Sequence, residues 1–232
     1  KQDIPGNVIE QTTTRRELNS DLTLNYQQDL NRTWSIGGLA GWNVNNRYFK
    51  RLNAEVTSLD IPDFYNLANS SEDPQAETFI QRRRLYGIYG QGEVSYNDYL
   101  FLTLTARNDW SSTLPKENNS FFYPGVTLGF VLSDAVPALE DISDYMKIRT
   151  AWGKTGNDAA PYLINSVIIP SEVNFGFGQF NFPLGGVNAF EVSNLIGNKN
   201  REPEITTEFE VGFDFRFFDN RLGVDFAYYD RT

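Results

Sequence analysis

From Ile205 to Phe217 the chain alternates with a period of two. Ile205, Thr207, Phe209, Val211, Phe213, Phe215 and Phe217 hold the odd positions, and Thr206, Glu208, Glu210, Gly212, Asp214 and Arg216 the even ones. A strand turns successive side chains to opposite faces, so this spacing predicts one apolar and one polar face. Phe218-Asp219-Asn220-Arg221 supplies a turn, and Leu222, Val224, Phe226 and Tyr228 then alternate with Gly223, Asp225 and Ala227. Pairing Phe217 with Leu222 sets Phe215 against Val224, Phe213 against Phe226 and Val211 against Tyr228. Every apolar residue then shares one face, so turn and pattern agree on register. Glu208, Glu210, Asp214, Arg216 and Asp225 share the other. Such a hairpin either covers a soluble core or faces lipid on one side and water on the other.

The same pattern recurs upstream. Leu18, Leu22, Leu24 and Tyr26 alternate with polar residues, and so do Trp34, Ile36, Gly38, Ala40, Trp42 and Val44. Further strands are expected from about Leu85 to Tyr96, from Leu100 to Arg107, from Phe122 to Leu132 and from Tyr145 to Lys154. A two-residue turn after Tyr96 would place Glu93 opposite Leu102. A three-residue turn over Asn97-Asp98-Tyr99, with a bulge, pairs Val94 with Leu102 and keeps one apolar face. Residues 1–15 read as the tail of a loop, 108–120 as a loop, and 133–144 as a medium connection with a helical turn. The stretches 45–81 and 155–203 read as long connections. Short and long connections thus alternate, and aromatics bracket the apolar rows (Trp34 and Trp42, Tyr86 and Tyr96, Phe122 and Phe130, Phe209 and Phe217). At about 3.3 Å per residue and a tilt near 40°, that spacing fits a lipid-facing band ~25 Å tall with two girdles. An all-β antiparallel transmembrane barrel segment accounts for both features; a soluble sandwich accounts for neither.

Composition narrows the chemistry. The net charge of -10 opposes a nucleic-acid partner, which would need a basic surface. The chain has no Cys and no His, which removes Cys/His metal sites, Ser-His-Asp triads and Cys-His dyads together. The acids at Asp60/Asp63, Glu72/Asp73, Glu140/Asp141/Asp144 and Glu202/Glu204/Glu208 lack calcium-loop spacing and read as solvated loop acids. Glu208 and Glu210 recur at every second strand position, which suits a wet lumen better than a glycosidase pair. No catalytic residue, metal or cofactor is expected.

Several stretches resemble one family in order. Ser95-Tyr96-Asn97-Asp98-Tyr99-Leu100, Arg107-Asn108-Asp109-Trp110-Ser111-Ser112 and Phe122-Tyr123-Pro124 are followed by Met146-Lys147-Ile148-Arg149-Thr150-Ala151-Trp152-Gly153-Lys154-Thr155-Gly156-Asn157 and Glu202-Pro203-Glu204. Together they resemble the successive signatures of the SusC/RagA-type TonB-dependent outer-membrane transporters. Trp110, Gly125 and Thr207 depart from the family's glycine, serine and tryptophan. The resemblance implies a chain several times longer, with a barrel of about 22 strands, a plug and a TonB-contacting segment. Residues 1–232 are then a middle-to-late barrel portion of about eight strands, without plug, TonB box or C-terminal strands. It also implies import of a bulky nutrient, glycan or peptide, across the outer membrane of a Gram-negative cell. The implied partners are a SusD-like surface lipoprotein, TonB and outer-membrane lipid. A non-transporting barrel that anchors or adheres, and a soluble all-β binding module, stand as alternatives.

Within that frame, Glu208, Glu210, Asp214, Arg216 and Asp225 are expected to face the lumen. Trp110, Tyr162, Phe175, Phe177, Phe180 and Phe182 are candidate loop contacts to ligand or partner, or else a loop packing on itself. Arg82, Arg83 and Arg84 stand where a long loop is expected to enter a strand, as a rim for lipid phosphates or as a solvated strand end. Arg107-Asn108-Asp109 is expected to form a structural ion pair pinning its loop.

Overall fold

A computed structural model describes residues 6–139, 142–174, 179–182 and 184–232. Its strands are β1 (Asn7–Asp29), β2 (Trp34–Thr57), β3 (Gln75–Tyr96), β4 (Leu100–Ser111), β5 (Ser120–Val131), β6 (Tyr145–Asn157), then β7 (Ile168–Pro170), β8 (Glu172–Asn174), β9 (Gln179–Asn181) and β10 (Phe190–Val192), and finally β11 (Glu204–Phe217) and β12 (Leu222–Arg231). Eight of them form one sheet in the order β1-β2-β3-β4-β5-β6-β11-β12, each long strand beside its successor. The chain is an all-β antiparallel meander, as the alternation predicts. β7 pairs with β10 and β8 with β9 as two small ribbons inside the connection between β6 and β11. One helical turn (Leu132–Ala135) and one 3-10 turn (Pro137–Leu139) occupy the connection between β5 and β6.

The predicted registers hold. Phe217 pairs with Leu222, Phe215 with Val224, Phe213 with Phe226 and Val211 with Tyr228. Val94 pairs with Leu102 and Tyr96 with Leu100, leaving Asn97-Asp98-Tyr99 as a three-residue turn. Asn97 and Asp98 take positive φ of 49° and 57°, and Phe218, Asp219 and Asn220 do the same in the β11–β12 turn. Asn and Asp tolerate this left-handed region; Phe218 is the unusual occupant.

The strands run further than the alternation suggested. Residues 7–15 belong to β1 rather than to a loop tail, and the expected connection 45–81 contracts to 58–74 because β2 continues to Thr57 and β3 begins at Gln75. The loop expected at 108–120 likewise shrinks to 112–119. The backbone ladder persists where both faces meet polar surroundings, and there hydrophobic contrast no longer marks it.

Two units are distinguished, residues 1–20 with 44–84 and residues 21–43 with 85–232. In the first, Asn69 organises the loop 58–74. Its side chain donates to the carbonyls of Ile61 (2.8 Å) and Phe64 (2.5 Å) and accepts from the Ile61 amide (3.0 Å). In the second, the short connections join one another: the Asn97 amide donates to Thr33 O (2.7 Å), Val131 N to Tyr99 O (2.7 Å) and Asp144 N to Arg216 O (2.9 Å).

The second unit separates its faces by strand parity. One face carries Ile88, Leu104, Phe122 and Phe226, which are 55%, 54%, 57% and 53% exposed. Val56, Leu114, Phe121 and Val131 make up the buried hydrophobic core among the described residues. A water-soluble domain does not leave row after row of large apolar side chains uncovered. At the end with short turns, aromatic rings run Trp34–Tyr96–Tyr99–Phe130 at centroid spacings of 4.7, 5.5 and 5.8 Å. Toward the opposite end of the apolar rows Tyr86 pairs with Trp110.

Candidate lumen-facing site

The opposite face of the same sheet is where charge gathers. Glu208, Glu210, Asp214 and Arg216 share the even-numbered row of β11 with Gly212, and Asp225 lies across from Asp214 on β12. All five predicted residues therefore share one face, and all five are drawn into ion pairs. Arg149 on β6, paired in register with Gly212, reaches across β11. Its Nε donates to Glu210 Oε1 at 3.3 Å, while Nη1 and Nη2 reach Asp225 Oδ2 and Oδ1 at 3.0 and 3.4 Å. The fork-shaped guanidinium meets the Asp225 carboxylate with two donors, so one side chain staples three strands.

Gly212 makes that span possible. A Cβ built there would lie 2.7 Å from Phe226 O, 3.1 Å from Arg149 Nε and 3.3 Å from Arg149 Cζ. A bare backbone lets the arginine lie flat across β11. The neighbouring rungs repeat the theme, with Arg231 Nε to Glu208 at 2.7 Å and Arg216 Nη2 to Asp214 at 3.3 Å.

Further along the face, Arg107 Nε donates to Asp109 Oδ1 at 2.8 Å, and the Tyr123 hydroxyl donates to the other Asp109 oxygen. Asp109 is only 3% exposed. The pair predicted within Arg107-Asn108-Asp109 is thus present, with Tyr123 from β5 as a third member. Gly87, in register with Asp109, leaves the space: a Cβ there would stand 2.3 Å from Asp109 Oδ1 and 2.7 Å from Arg107 Nη2. Next to it, Thr113 Oγ1 donates to Asp158 Oδ2 at 2.9 Å, and the Ser111 hydroxyl also donates to Asp158. These contacts tie the connection after β4 to the one after β6.

Between the two clusters the polar face is concave. A depression of about 680 Å³ is lined by Tyr89, Gln91, Thr105, Arg107, Tyr123, Glu208, Glu210 and Arg231, among others. It presents hydroxyl, amide and paired ionic groups, which suits hydrogen bonding to a polar solute and offers no nucleophile–base pair. Among the described residues no group of three or more acids is placed to hold a metal ion. Reading the sequence for site residues missed Arg149, Tyr89, Tyr123 and Asp158. Strand parity signals the face of the first three; nothing in the sequence signals their partners.

The remaining predicted residues disperse. Trp110 is not a loop residue: it lies within β4, in the row of Leu100, Leu102 and Leu104, and pairs with Tyr86 and Ser120. It belongs to the apolar face, not to a ligand-contacting loop. Tyr162 is exposed at a turn with φ of 65°, Phe182 is half-buried beyond β9, and Phe180 lies within β9. Phe175 and Phe177 fall outside the described residues, as do Glu140 and Asp141. Arg82, Arg83 and Arg84 do not stand at a strand entrance, because all three lie inside β3.

The chain matches the family model for the TonB-dependent receptor-like β-barrel over residues 3–232. It is 24% identical to a TonB-dependent receptor of Formosa agariphila across 97% of its length and 22% of that protein's. It is 30% identical to the TonB-dependent receptor SusC of Bacteroides thetaiotaomicron across 66% of its length and 15% of that protein's. The chain therefore spans less than a quarter of either relative. Among solved structures, the RagAB peptide transporter superposes with a TM-score of 0.79 at 15% identity, over 96% of this chain and 24% of that one. An unclosed eight-stranded antiparallel sheet, with one face apolar and bare and the other polar and charge-paired, is what a slice of such a barrel looks like. The chain belongs to the TonB-dependent receptor-like β-barrel family, with SusC/RagA-type proteins among its relatives.

Proposed function

We propose that this chain is a section of wall in an outer-membrane importer of a bulky nutrient, an oligosaccharide or a peptide, in a Gram-negative cell. The observation that carries the reading is the division of one sheet into two faces. Exposing a large apolar side chain to water costs about 1.5–3 kcal/mol, so row upon row of them is stable only against lipid. The polar face, with Glu208, Glu210, Asp214, Arg216 and Asp225, then lines the lumen. The depression beside Tyr89, Gln91 and Tyr123 lies on the path of the cargo. On this reading the short turns face the periplasm and the long connections face outward.

In the complete protein a plug closes the barrel, TonB supplies force from the periplasm, and a SusD-type surface lipoprotein covers the outward connections. Residues 58–74 and 158–203 are the contacts offered to lipoprotein and cargo, with Tyr162, Phe175, Phe177, Phe180 and Phe182 as stacking candidates. The reading includes no catalytic group, cofactor or nucleic acid.

The test uses the full-length protein in its own cell. It is expected in the outer-membrane fraction, and its deletion should abolish growth on one class of glycan or peptide as sole nutrient. Loss of TonB should reproduce that defect. Recovery in the soluble fraction, or unchanged growth on every glycan and peptide offered, would overturn the proposal.

A further inference from the structure

The glycines of the polar face are of two kinds. At Gly41, Gly87 and Gly212 an added Cβ would collide with a side chain laid across from a neighbouring strand: Tyr89, the Arg107–Asp109 pair and Arg149 in turn. Those three are filled seats. At Gly153 the same Cβ would meet Gly125 Cα at 3.6 Å and Pro124 O at 3.7 Å, which is ordinary van der Waals contact. Among the described residues no side chain comes within 4 Å of that position. Gly125 stands directly opposite Gly153, with the Thr105 hydroxyl leaning over it, 2.6 Å from where its Cβ would be.

The bare pair sits at the middle of one rung of the sheet. From β3 to β12 that rung reads Gln91, Thr105, Gly125, Gly153, Glu208 and Arg231. The next pair along β5 and β6, Thr127 opposite Ala151, is small as well. Two opposed glycines forgo the cross-strand side-chain contact that stabilises a sheet. Neither a left-handed backbone nor a packing neighbour requires glycine at 153. This strip is the floor of the depression of about 680 Å³.

The charged groups around that floor are engaged with one another. Glu208 and Glu210 receive Arg231 Nε at 2.7 Å and Arg149 Nε at 3.3 Å. Arg107 is held by Asp109 at 2.8 Å and lies 5.4 Å from the Tyr89 ring centroid. A paired carboxylate still has lone pairs that accept from a hydroxyl. Gln91, Thr105 and Thr155 add amide and hydroxyl groups at the rim. The floor is closed to strand addition, because Gly125 and Gly153 each already have a partner strand on both sides. A peptide recognised through its backbone or its charges therefore finds no free partner here. A ring with C–H groups on its face and hydroxyls at its edge finds a flat floor with donors and acceptors around it.

We infer that the Gly125–Gly153 strip seats a sugar ring of a neutral oligosaccharide. The face of the ring lies on the bare backbone, and its hydroxyls bond to Gln91, Thr105 and the Glu208 and Glu210 carboxylates. The inference rests on the reading of this chain as the wall of an importer, and within that reading it selects the glycan over the peptide.

The experiment uses the full-length protein, purified in mild detergent, with a Thr127→Cys thiol reporting from the depression. A Lys147→Cys thiol, on the same face of β6 but outside the depression, is the reference. Maleimide labelling is followed with a mixture of short linear oligosaccharides of glucose, mannose, galactose and xylose, and separately with a mixture of short peptides. The oligosaccharides should slow labelling at Thr127→Cys about tenfold once present at ~10 times their Kd. The peptides should leave it unchanged, and neither should affect Lys147→Cys. Gly153→Leu, which fills the strip without a backbone clash, should abolish the protection while the reference thiol keeps its rate. Thr105→Val, which removes one rim hydroxyl, should weaken it and serves if Gly153→Leu does not assemble. A Thr127→Cys thiol that is unreactive before sugar is added, equal protection by peptides, or protection undiminished in these variants would each refute the seat. An outer-membrane protein that sustains growth on peptides and shows no protection by sugar would overturn the seat and leave the importer standing.

Discussion

Arg149, Gly212 and Ala227 lie side by side on one rung of the sheet, and Ile148, Phe213 and Phe226 on the next. The two rungs are one residue apart and obey different rules. On the Phe213 rung the rings stack loosely, with Phe213 5.4 Å from Phe226 and 4.7 Å from Phe215, and nothing there demands one shape. On the proposed lipid-facing side, any apolar side chain that fills space would serve. On the Gly212 rung the geometry is fixed by a single long side chain lying across a bare backbone. The apolar face is defined by chemistry and tolerant of size; the polar face is defined by size and tolerant of modest chemical change.

That contrast can be broken in graded ways, each read as the urea midpoint of the full-length protein refolded into lipid vesicles. Phe213→Arg should have the largest effect, about 2–4 kcal/mol, because it puts a cation on the face proposed to meet lipid. Gly212→Leu should follow at about 1–3 kcal/mol, since its Cβ meets the Phe226 carbonyl and displaces Arg149. The reverse order of these two would mean that the faces have been assigned backwards. Arg149→Met should cost less than about 1 kcal/mol, with an effect that shrinks as salt rises, because the partly exposed pairs it breaks are screened. A salt-independent loss would show that Arg149 contributes packing rather than charge. Glu210→Gln should change stability by only a few tenths of a kcal/mol, as Arg149 keeps its two-point contact with Asp225. Equal tolerance to Phe213→Arg and Glu210→Gln would remove the distinction altogether.

How far the sequence reveals this architecture depends on where along a strand one looks. From Leu18 onward, through Trp34–Val44, Leu85–Tyr96 and the hairpin of β11 and β12, the large apolar residues fall mostly on alternate positions. That contrast fixes strand, face and local register together. In residues 7–17, 45–57 and 75–84 the contrast fades. Gln11-Thr12-Thr13-Thr14-Arg15-Arg16 offers no apolar face, so the strand there is visible only as backbone pairing. The ion pairs show a second limit. Parity places Arg149 on the face of Glu210, but which carboxylate it reaches depends on the register of β6 against β11, across the connection 158–203. No turn of fixed length sets that register, whereas the short turn 218–221 sets the partners of Phe213. Trp110 was misplaced for a related reason: an apparent loop motif, Arg107-Asn108-Asp109-Trp110, is in fact the end of a strand.

The polar face also has an electrical character. Its described ion pairs set four arginines, Arg107, Arg149, Arg216 and Arg231, against five carboxylates, Asp109, Glu208, Glu210, Asp214 and Asp225. These paired groups sum to -1, against -10 for the chain as a whole. Opposite charges about 3 Å apart behave as dipoles, whose potential falls off faster than that of single charges and is screened within ~8–10 Å by physiological salt. Such a wall would not sort small ions by sign. It would present closely spaced donors and acceptors only to what touches it.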